Sequence, residues 1–416
     1  MKRNIIVGQS GGPTAAINSS LAGVYRTAID RGANKVYGML HGVQGLLNEQ
    51  YLDLSDYIKT DLDVELLKRT PAAFLGSCRY KLPGIHEDKS VYEKLFAILD
   101  KLDIEAFIYI GGNDSMDTIK KLSDYAILTG HETRFIGCPK TIDNDLALTD
   151  HTPGYGSAAK YIGTSMKEII RDSFCLEYPQ GVVTIVEVMG RNAGWLTGAA
   201  ALSKGEDCDG PDMIYLPEVV FDIEDFRDKV KKLLAKKTSV VVAVSEGIRI
   251  ADGRYVCELG NSSDFVDAFG HKQLSGTASY LSNYIAKELG AKTRAIEFST
   301  LQRAGSHIAS RVDILEAYSV GGAAVKAADE GESGMMVTLQ RTSEDPYQCQ
   351  TAVKNVHKIA NDEKCVPREW ITKDGTYVTD EFVAYVKPLI QGDVSPVMVD
   401  GIPRHLCTPN ALYKKK

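Results

Sequence analysis

Short runs of consecutive apolar residues recur along the chain and predict the strands of a parallel sheet. The runs cover residues 5–7, 106–110, 135–138, 182–186 and 240–244. Apolar runs without alternation are typical of strands that are buried on both faces. Between the runs, apolar residues recur at helical spacing, as in residues 21–29 and 91–102. This alternation of strands and helices predicts an α/β protein built from two doubly wound, Rossmann-like domains.

The length of the chain, 416 residues, indicates two domains rather than one. Turn-forming residues at 149–154 interrupt the pattern, so we predict a first α/β domain over residues 1–150 and a second over residues 151–340. This assignment leaves room for the chain to cross back near residues 260–305. Beyond residue 340 the sequence is more polar, less periodic and richer in proline. We predict that residues 341–416 form an extension that wraps around the domains.

Composition narrows the class of function. Hydrophobic residues make up 44% and charged residues 25% of the chain, and the net charge of −7 argues against a nucleic-acid partner. The eight cysteines are scattered without metal-ligand spacing, which favours a reduced, cytoplasmic location. No apolar run is long enough for a signal peptide or a membrane span, so we expect neither secretion nor insertion into a membrane.

Two polar loops, each directly after a predicted strand, carry the most specific chemistry. Residues 111–115 offer glycine amides at the start of a predicted helix, a place that stabilises a phosphate. Residues 139–145 supply the ammonium of Lys140 and the carboxylates of Asp143 and Asp145. A carboxylate can accept the proton of an attacking hydroxyl while an ammonium stabilises the group in transfer. Because parallel strands end at one edge of a sheet, the loops predict a phosphoryl-transfer cleft between the domains.

Each of these loops also has a simpler interpretation. Residues 111–115 fit an ordinary N-capped helix about equally well, with Asn113 or Asp114 accepting backbone amides. Residues 141–145 fit a surface Asx turn. Residues 10–13 place a glycine pair between the first strand and a helix, which is often no more than a turn. That segment is not a Walker A loop and lacks the G-x-G-x-x-G pattern, so no nicotinamide cofactor is indicated.

Candidate sugar-phosphate contacts follow the later strands. Residues 186–191 end a strand with Gly190 and Arg191, which offer an amide and a fork of donors. Glu246 follows another buried strand and could accept hydrogen bonds from sugar hydroxyls, although a helix cap is as common at such a place. Arg294 and Arg303 could clamp a terminal phosphate, whereas isolated arginines more often form exposed ion pairs.

Taken in order, these motifs closely resemble those of the phosphofructokinase family. The matching segments are residues 10–12, 74–79, 111–115, 140–145 and 186–191, Glu246, and residues 301–305. The resemblance covers residue 4 to about residue 340, and motifs in the same order make a chance match very improbable. It implies transfer of a phosphoryl group to the 1-hydroxyl of fructose 6-phosphate, giving fructose 1,6-bisphosphate, with Mg²⁺ as cofactor. By analogy with the family it also implies a homodimer or homotetramer.

The resemblance implies roles position by position. Asp143 matches the general base, Asp145 the carboxylate beside it, and Asn113 a metal-binding position. The positions that match donor contacts are Gly11, Arg79, Gly112, Asp114 and Lys140. The positions that match sugar-phosphate contacts are Thr141, Ile142, Asp143, Met189, Gly190, Arg191, Glu246, Arg294, Thr300 and Arg303, with Arg294 the weaker match to an arginine that reaches across a subunit interface.

Two positions bear on the phosphoryl donor. Members of the family that use ATP carry glycine where this chain has Asp114 and Lys140. The carboxylate of Asp114 would crowd and repel the α-phosphate of a nucleotide. Lys140 adds a cation beside the transferring and leaving phosphates, which suits inorganic pyrophosphate. Both residues are therefore predicted to act in catalysis, and the chain resembles the pyrophosphate-using branch, whose reaction runs readily in both directions.

Other positions depart from the family pattern and leave alternatives open. Asn113 stands where many relatives have a magnesium-binding aspartate, so coordination directly or through water stays open. Thr300 replaces a histidine and Val182 replaces an arginine, which leaves the choice of sugar open, including sedoheptulose 7-phosphate. An ATP-dependent 6-phosphofructokinase and a catalytically silent sugar-phosphate-binding subunit are the alternative functions.

Overall fold

The computed structural model describes residues 1, 3–175, 178–260, 274–358, 363–407 and 409. Within these residues the strands are β1 (Asn4–Gln9), β2 (Val36–Met39), β3 (Tyr51–Asp53), β4 (Ile104–Gly111), β5 (Arg134–Pro139), β6 (Val182–Val188), β7 (Met213–Tyr215), β8 (Ser239–Ser245), β9 (Lys292–Glu297), β10 (Met335–Glu344), β11 (Tyr347–Asn355), β12 (Met398–Val399) and β13 (Ile402–Pro403). The α-helices are α1 (Ile17–Asp30), α2 (Gly42–Leu46), α3 (Asp61–Arg69), α4 (Lys89–Lys101), α5 (Asn113–Thr129), α6 (Tyr155–Phe174), α7 (Trp195–Gly198), α8 (Ile223–Leu234), α9 (Thr277–Leu289), α10 (Leu301–Ala304), α11 (Arg311–Asp329) and α12 (Asp380–Val386).

The first sheet has the strand order β11–β10–β5–β4–β1–β2–β3. Its central strands are parallel, and β3 and β11 pair antiparallel with their neighbours at the two edges. In β1, Ile5 and Val7 face one hydrophobic cluster while Ile6 faces another. Burial on both faces explains why this strand is a continuous apolar run rather than an alternating one.

The second sheet has the strand order β7–β8–β6–β9, and all its pairs are parallel. The five apolar runs of the sequence form β1, β4, β5, β6 and β8. Two parallel-rich sheets with helices between the strands confirm the predicted α/β class. No helix among the described residues is long and apolar enough to cross a membrane.

The predicted second domain, residues 151–340, is divided between the two sheets. Strand β10 pairs with β5 of the first sheet, and α11 packs against α1. The two helices approach so closely that a Cβ added at Gly23 would lie 2.0 Å from the carbonyl oxygen of Tyr318. The assignment of residues 311–340 to the second domain is therefore wrong, because an apolar run does not indicate which sheet it joins. Of the predicted crossing region, residues 261–273 lie outside the described residues, and β9 and α10 stay on the side of the second sheet.

The C-terminal segment after β11 contacts both halves of the molecule, the first half being built on the first sheet and the second half on the second sheet. In α12, Phe382 stacks on Trp195 with 5.9 Å between the ring centroids, in the core beside the second sheet. Farther on, the amide of Leu406 donates a hydrogen bond to the hydroxyl of Thr70, at 2.9 Å, in the first half. Residues 359–362, 408 and 410–416 of the predicted extension lie outside the described part of the chain.

Candidate active site

Three neighbouring strands of the first sheet end in the loops that the sequence singled out. Gly11 and Gly12 follow β1, Gly112 follows β4, and Lys140 follows β5. Because β1, β4 and β5 are adjacent and parallel, their loops meet at one edge of the sheet. The backbone amide of Lys140 donates to the carbonyl of Gly111 at 2.9 Å, which joins the second and third loops.

The Gly11 loop needs a residue without a side chain. Gly11 has a φ of +75°, and a Cβ there would lie 3.4 Å from the Nζ atom of Lys140. Its amide donates to the carbonyl of Cys78 at 3.1 Å, and the hydroxyl of Ser77 donates to its carbonyl at 2.6 Å. These bonds tie the loop to the segment that carries Arg79, another residue predicted to contact the donor.

Helix α5 begins at Asn113 without a side-chain cap, so the capped-helix interpretation of residues 111–115 is wrong. Gly112 occupies the N-cap position, and Asp114 lies in the first turn. The Oδ1 atom of Asn113 is buried and has no hydrogen-bond partner among the described residues. A buried acceptor without a donor is costly, and here it lies on a residue that lines a cavity.

Lys140 is almost completely buried, with 2% of its surface exposed. Its ammonium donates to the carbonyl of Gly12 at 2.5 Å. The pKa of Lys140 is lowered from 10.5 to about 8, chiefly by burial and also by repulsion from Arg303 and Arg79, while attraction to Asp143 opposes the change. A charge that has lost its water interacts strongly with any anion placed beside it.

The turn after Lys140 presents two carboxylates to the same space. The hydroxyl of Thr141 accepts from the amide of Asp143 at 3.1 Å and lies 3.4 Å from its carboxylate. Burial raises the pKa of Asp143, although the charge of Lys140 opposes that rise. Burial and repulsion by Asp143 raise the pKa of Asp145 to about 7. A raised pKa makes a carboxylate a stronger proton acceptor.

The second half of the molecule contributes residues that follow β6 and β8. Gly190 has a φ of +134°, and its amide donates to the carboxylate of Glu246 at 3.4 Å. Burial and repulsion by Asp143 raise the pKa of Glu246 to about 8. A Cβ added at Gly247 would lie 1.9 Å from the carbonyl oxygen of Arg191, so the two loops are in direct contact.

Arg303 joins the two halves of the site. It lies on the short helix α10, and its Nη1 atom is 3.3 Å from where a Cβ of Gly12 would be. Burial and repulsion by Arg79 lower the pKa of Arg303. Arg303 therefore brings a second desolvated cation close to Lys140.

Two adjoining cavities, of about 520 and 260 Å³, lie between these loops. Both are lined by Gly12, Arg79, Lys140, Thr141, Asp143, Asp145 and Glu363. The larger cavity adds Gly11, Gly112, Asn113 and Asp114, and the smaller adds Ile142, Met189, Gly190, Arg191, Glu246 and Arg303. The residues predicted to bind the donor thus line one cavity, and those predicted to bind the sugar, except Arg294 and Thr300, line the other. Lys140 and Asp143 line both cavities and lie at the junction.

Arg294 and Thr300 do not line either cavity. Arg294 lies on β9, where its guanidinium pairs with Asp172 at 2.9 Å. Thr300 is exposed at the start of α10. Within this chain, neither residue therefore contacts the predicted sugar-phosphate cavity, and the match of Arg294 to an arginine that reaches across a subunit interface stays a prediction.

The structure adds Glu363, which sequence reasoning did not identify. It comes from the C-terminal segment and lines both cavities, and its carboxylate accepts hydrogen bonds from the side-chain Nδ2 atom of Asn192 at 3.1 and 3.2 Å. Its sequence neighbours are polar and without periodicity. No local signal could have marked this residue, because only the return of the chain brings it to the cleft.

Comparison with known proteins agrees with this site. Residues 4–328 match the family model described as "Phosphofructokinase". A "Pyrophosphate--fructose 6-phosphate 1-phosphotransferase" of Xanthomonas campestris is 40% identical over 415 residues, 99% of this chain and 98% of that protein.

Two crystal structures of proteins named pyrophosphate-dependent phosphofructokinase are similar to the whole molecule. The protein from Nitrosospira multiformis superposes with a TM-score of 0.87 at 35% identity, covering 97% of this chain and 96% of that one. The protein from Marinobacter aquaeolei also gives 0.87, at 37% identity over 100% and 98% of the two chains. With motifs, cleft and full-length similarity in agreement, the chain belongs to the phosphofructokinase family.

Proposed function

We propose that this protein transfers a phosphoryl group from pyrophosphate to the 1-hydroxyl of fructose 6-phosphate. The products are fructose 1,6-bisphosphate and phosphate. The reaction is reversible because pyrophosphate and the phosphate ester that is formed have similar phosphoryl-transfer potentials. The observation that carries the proposal is the buried ammonium of Lys140 beside Asp143, at the junction of the two cavities. The names of the full-length relatives support the same reaction.

The chain's own residues account for the chemical step. Asp143 accepts the proton of the 1-hydroxyl as that oxygen forms its bond to phosphorus and the bridging oxygen–phosphorus bond of pyrophosphate breaks. Lys140 and Arg303 stabilise the negative charge that shifts to the leaving phosphate. Arg191 and Glu246 line the sugar cavity and orient the acceptor.

The first turn of α5 supports pyrophosphate rather than a nucleotide as the donor. Asp114 lines the larger cavity next to Gly112, so an extended nucleotide would bring its α-phosphate against a carboxylate. Pyrophosphate has no such group. Lys140 supplies the electrostatic attraction that pyrophosphate needs in place of contacts to a nucleoside.

The residues of the larger cavity fit Mg²⁺. The unpartnered Oδ1 atom of Asn113 is an oxygen ligand of the kind Mg²⁺ prefers, and the carboxylates of Asp114, Asp143 and Asp145 line the same cavity. We propose that Asn113, with the carboxylates of Asp114 and Asp145, holds the ion directly or through water, which leaves Asp143 free to accept the proton. Bound Mg²⁺ would neutralise charge on the pyrophosphate oxygens.

The decisive experiment supplies fructose 6-phosphate and Mg²⁺ with either pyrophosphate or ATP and measures fructose 1,6-bisphosphate. We expect turnover with pyrophosphate and little with ATP. Asp143→Asn should lower kcat at least about a thousandfold with little change in KM, whereas the exposed control Asp100→Asn should not. Turnover with ATP alone would refute pyrophosphate as the donor. A normal kcat in Asp143→Asn would refute Asp143 as the general base.

The companion variant Asp114→Gly/Lys140→Gly tests the donor argument from the other side. Removing the carboxylate opens the place of an α-phosphate, and removing the ammonium weakens the attraction for pyrophosphate. The ratio of activity with ATP to activity with pyrophosphate should therefore rise. An unchanged ratio would contradict the roles of these two residues.

We also propose that the protein assembles as a homodimer or homotetramer. Arg294 lies outside its own chain's cavities, on the edge strand β9, and Leu301 nearby is 60% exposed. An edge strand with a neighbouring apolar side chain suits contact with a second copy. Light scattering after gel filtration should give two or four times the monomer mass, and a monomer would refute this assembly.

A further inference from the structure

Asn144, between the two carboxylates of the cleft, has its side chain directed away from the cavities. It is completely buried, and its φ is +54°, a left-handed conformation that few side chains other than Asn adopt readily. Asp143 and Asp145 on either side line both cavities. Whatever holds Asn144 therefore also fixes the direction of the two carboxylates.

The side chain of Asn144 is held by the C-terminal segment. Its Nδ2 atom donates to the hydroxyl of Tyr385 at 2.9 Å. Its Oδ1 atom accepts from the amide of Thr152 at 3.1 Å and from the ammonium of Lys364 at 3.5 Å. Both polar atoms of the amide are thus occupied, and two of the three partners lie beyond residue 340.

The same two residues also hold the chain on the far side of the turn. The hydroxyl of Tyr385 donates to the carbonyl of Asp150 at 2.7 Å, and the ammonium of Lys364 donates to the same oxygen at 2.5 Å. The backbone amide of Lys364 donates to the carbonyl of Asp145 at 2.8 Å. The segment therefore contacts the turn through both side chains and backbone.

The segment is itself firmly anchored. The indole of Trp195 donates to the carbonyl of Lys364 at 2.7 Å, and the rings of Trp195 and Tyr385 pack with centroids 5.2 Å apart. Trp195 is buried in the core beside the second sheet. Tyr385 and Lys364 are thus rigid supports rather than surface side chains.

We infer that Tyr385 and Lys364 of the C-terminal segment are positioning residues for the carboxylates of Asp143 and Asp145, acting through Asn144. They lie outside residues 4–328, the part of the chain that matches the family model. The segment is then a working part of the cleft, and not only an outer layer. Because the role concerns the proposed general base, it rests on the proposed function.

Tyr385→Phe is the sharpest test because it removes one hydroxyl and keeps the ring. Misplacing a reacting group by about 1 Å can cost up to about a hundredfold in rate, so we expect kcat to fall about tenfold or more while both KM values stay within about twofold. The matched control is Tyr377→Phe. Tyr377 lies in the same segment, and its buried hydroxyl has no hydrogen-bond partner among the described residues. This control should leave kcat unchanged.

A double-mutant cycle separates positioning from packing. Asn144→Gly removes the amide but tolerates the positive φ. If Tyr385 acts through Asn144, the double variant Asn144→Gly/Tyr385→Phe should be no slower than the slower single variant. Effects on kcat that multiply, or a kcat of Tyr385→Phe within twofold of the parent, would overturn the inference.

Lys364→Met gives a second arm that does not depend on the folding of the tyrosine variant. It removes the ammonium and leaves the backbone bond to Asp145, so kcat should fall several-fold at unchanged KM; an unchanged kcat would refute the role of Lys364. Activity of the parent chain with each donor tests the proposed function separately. The inference is tested by the ratio of variant to parent with whichever donor is used.

Discussion

Replacing Lys140 by methionine should make the protein more stable and much less active. The substitution keeps most of the length of the side chain and removes its charge. The pKa of Lys140 falls from 10.5 to about 8, chiefly because burial removes water from the ammonium. Holding the charged form at pH 7 then costs the folded state about 3 kcal/mol. The cost is present below pH 8 and fades as the pH rises further, because the folded protein releases the proton before the unfolded chain does.

Part of the gain is offset by a lost hydrogen bond. The ammonium donates to the carbonyl of Gly12, which would be left without that partner at a cost of about 1 kcal/mol. The net gain at pH 7 should be about 2 kcal/mol. Loss of a cation that stabilises transferring phosphate should lower kcat by about a hundredfold to a thousandfold.

The assay measures both quantities on the same samples. Urea unfolding followed by circular dichroism at pH 7 and at pH 9.5 gives the change in stability, and phosphate release gives kcat. The gain should be present at pH 7 and smaller at pH 9.5. Lys167→Met, which removes an exposed lysine paired with Asp207, is the matched control and should change neither quantity. A Lys140→Met protein that is no more stable at pH 7, or whose kcat falls less than tenfold, would refute the reasoning.

Three other predictions concern pH and packing. If kcat/KM needs the charged form of Lys140, it should fall as the pH passes about 8, and Lys140→Arg should move that fall to higher pH; an unmoved limb would exclude Lys140 as its source. Burial lowers the pKa of His151, but hydrogen bonds to Asp150 and Glu316 outweigh that effect and raise the pKa above 6.5. The free energy of unfolding should therefore decline as the pH rises through that raised pKa, and His151→Gln should lack this decline in urea titrations. Gly247→Ala should raise the KM for fructose 6-phosphate about tenfold and lower stability by about 1 to 3 kcal/mol, because the new Cβ would lie 1.9 Å from the carbonyl of Arg191; equal KM in the variant would show that the loop can yield.

Much of the fold could be predicted because it depends on local patterns. Strands buried on both faces must be apolar at consecutive positions, and the runs that became β1, β4 and β8 show this directly. Glycine at a positive φ, as at Gly11, and polar residues after a strand end are equally local signals. These signals predict that the loop of Lys140 and Asp143 lies at the same sheet edge as the loop of Gly112.

Other predictions depended on which surfaces meet. Strand β10 is as apolar as a strand of the second sheet would be, yet it pairs with β5. Arg294 has the residue type expected of a phosphate ligand, and only the tertiary structure shows that within its own chain it pairs with Asp172. Residue type and spacing constrain what a side chain can do, whereas its neighbours depend on the path of the whole chain.

The sequence by itself determined the α/β class, the loops at the strand ends, and the carboxylates and the ammonium that these loops carry. Only the tertiary structure decided that residues 311–340 return to the first sheet, that Glu363 lines the cleft, and that Tyr385 and Lys364 form hydrogen bonds with Asn144. The physical reason is the separation along the sequence over which each effect acts. Burial and turn conformation leave a mark within a few residues, but contacts such as that between Asn144 and Tyr385 join positions 241 residues apart and leave none in either local segment.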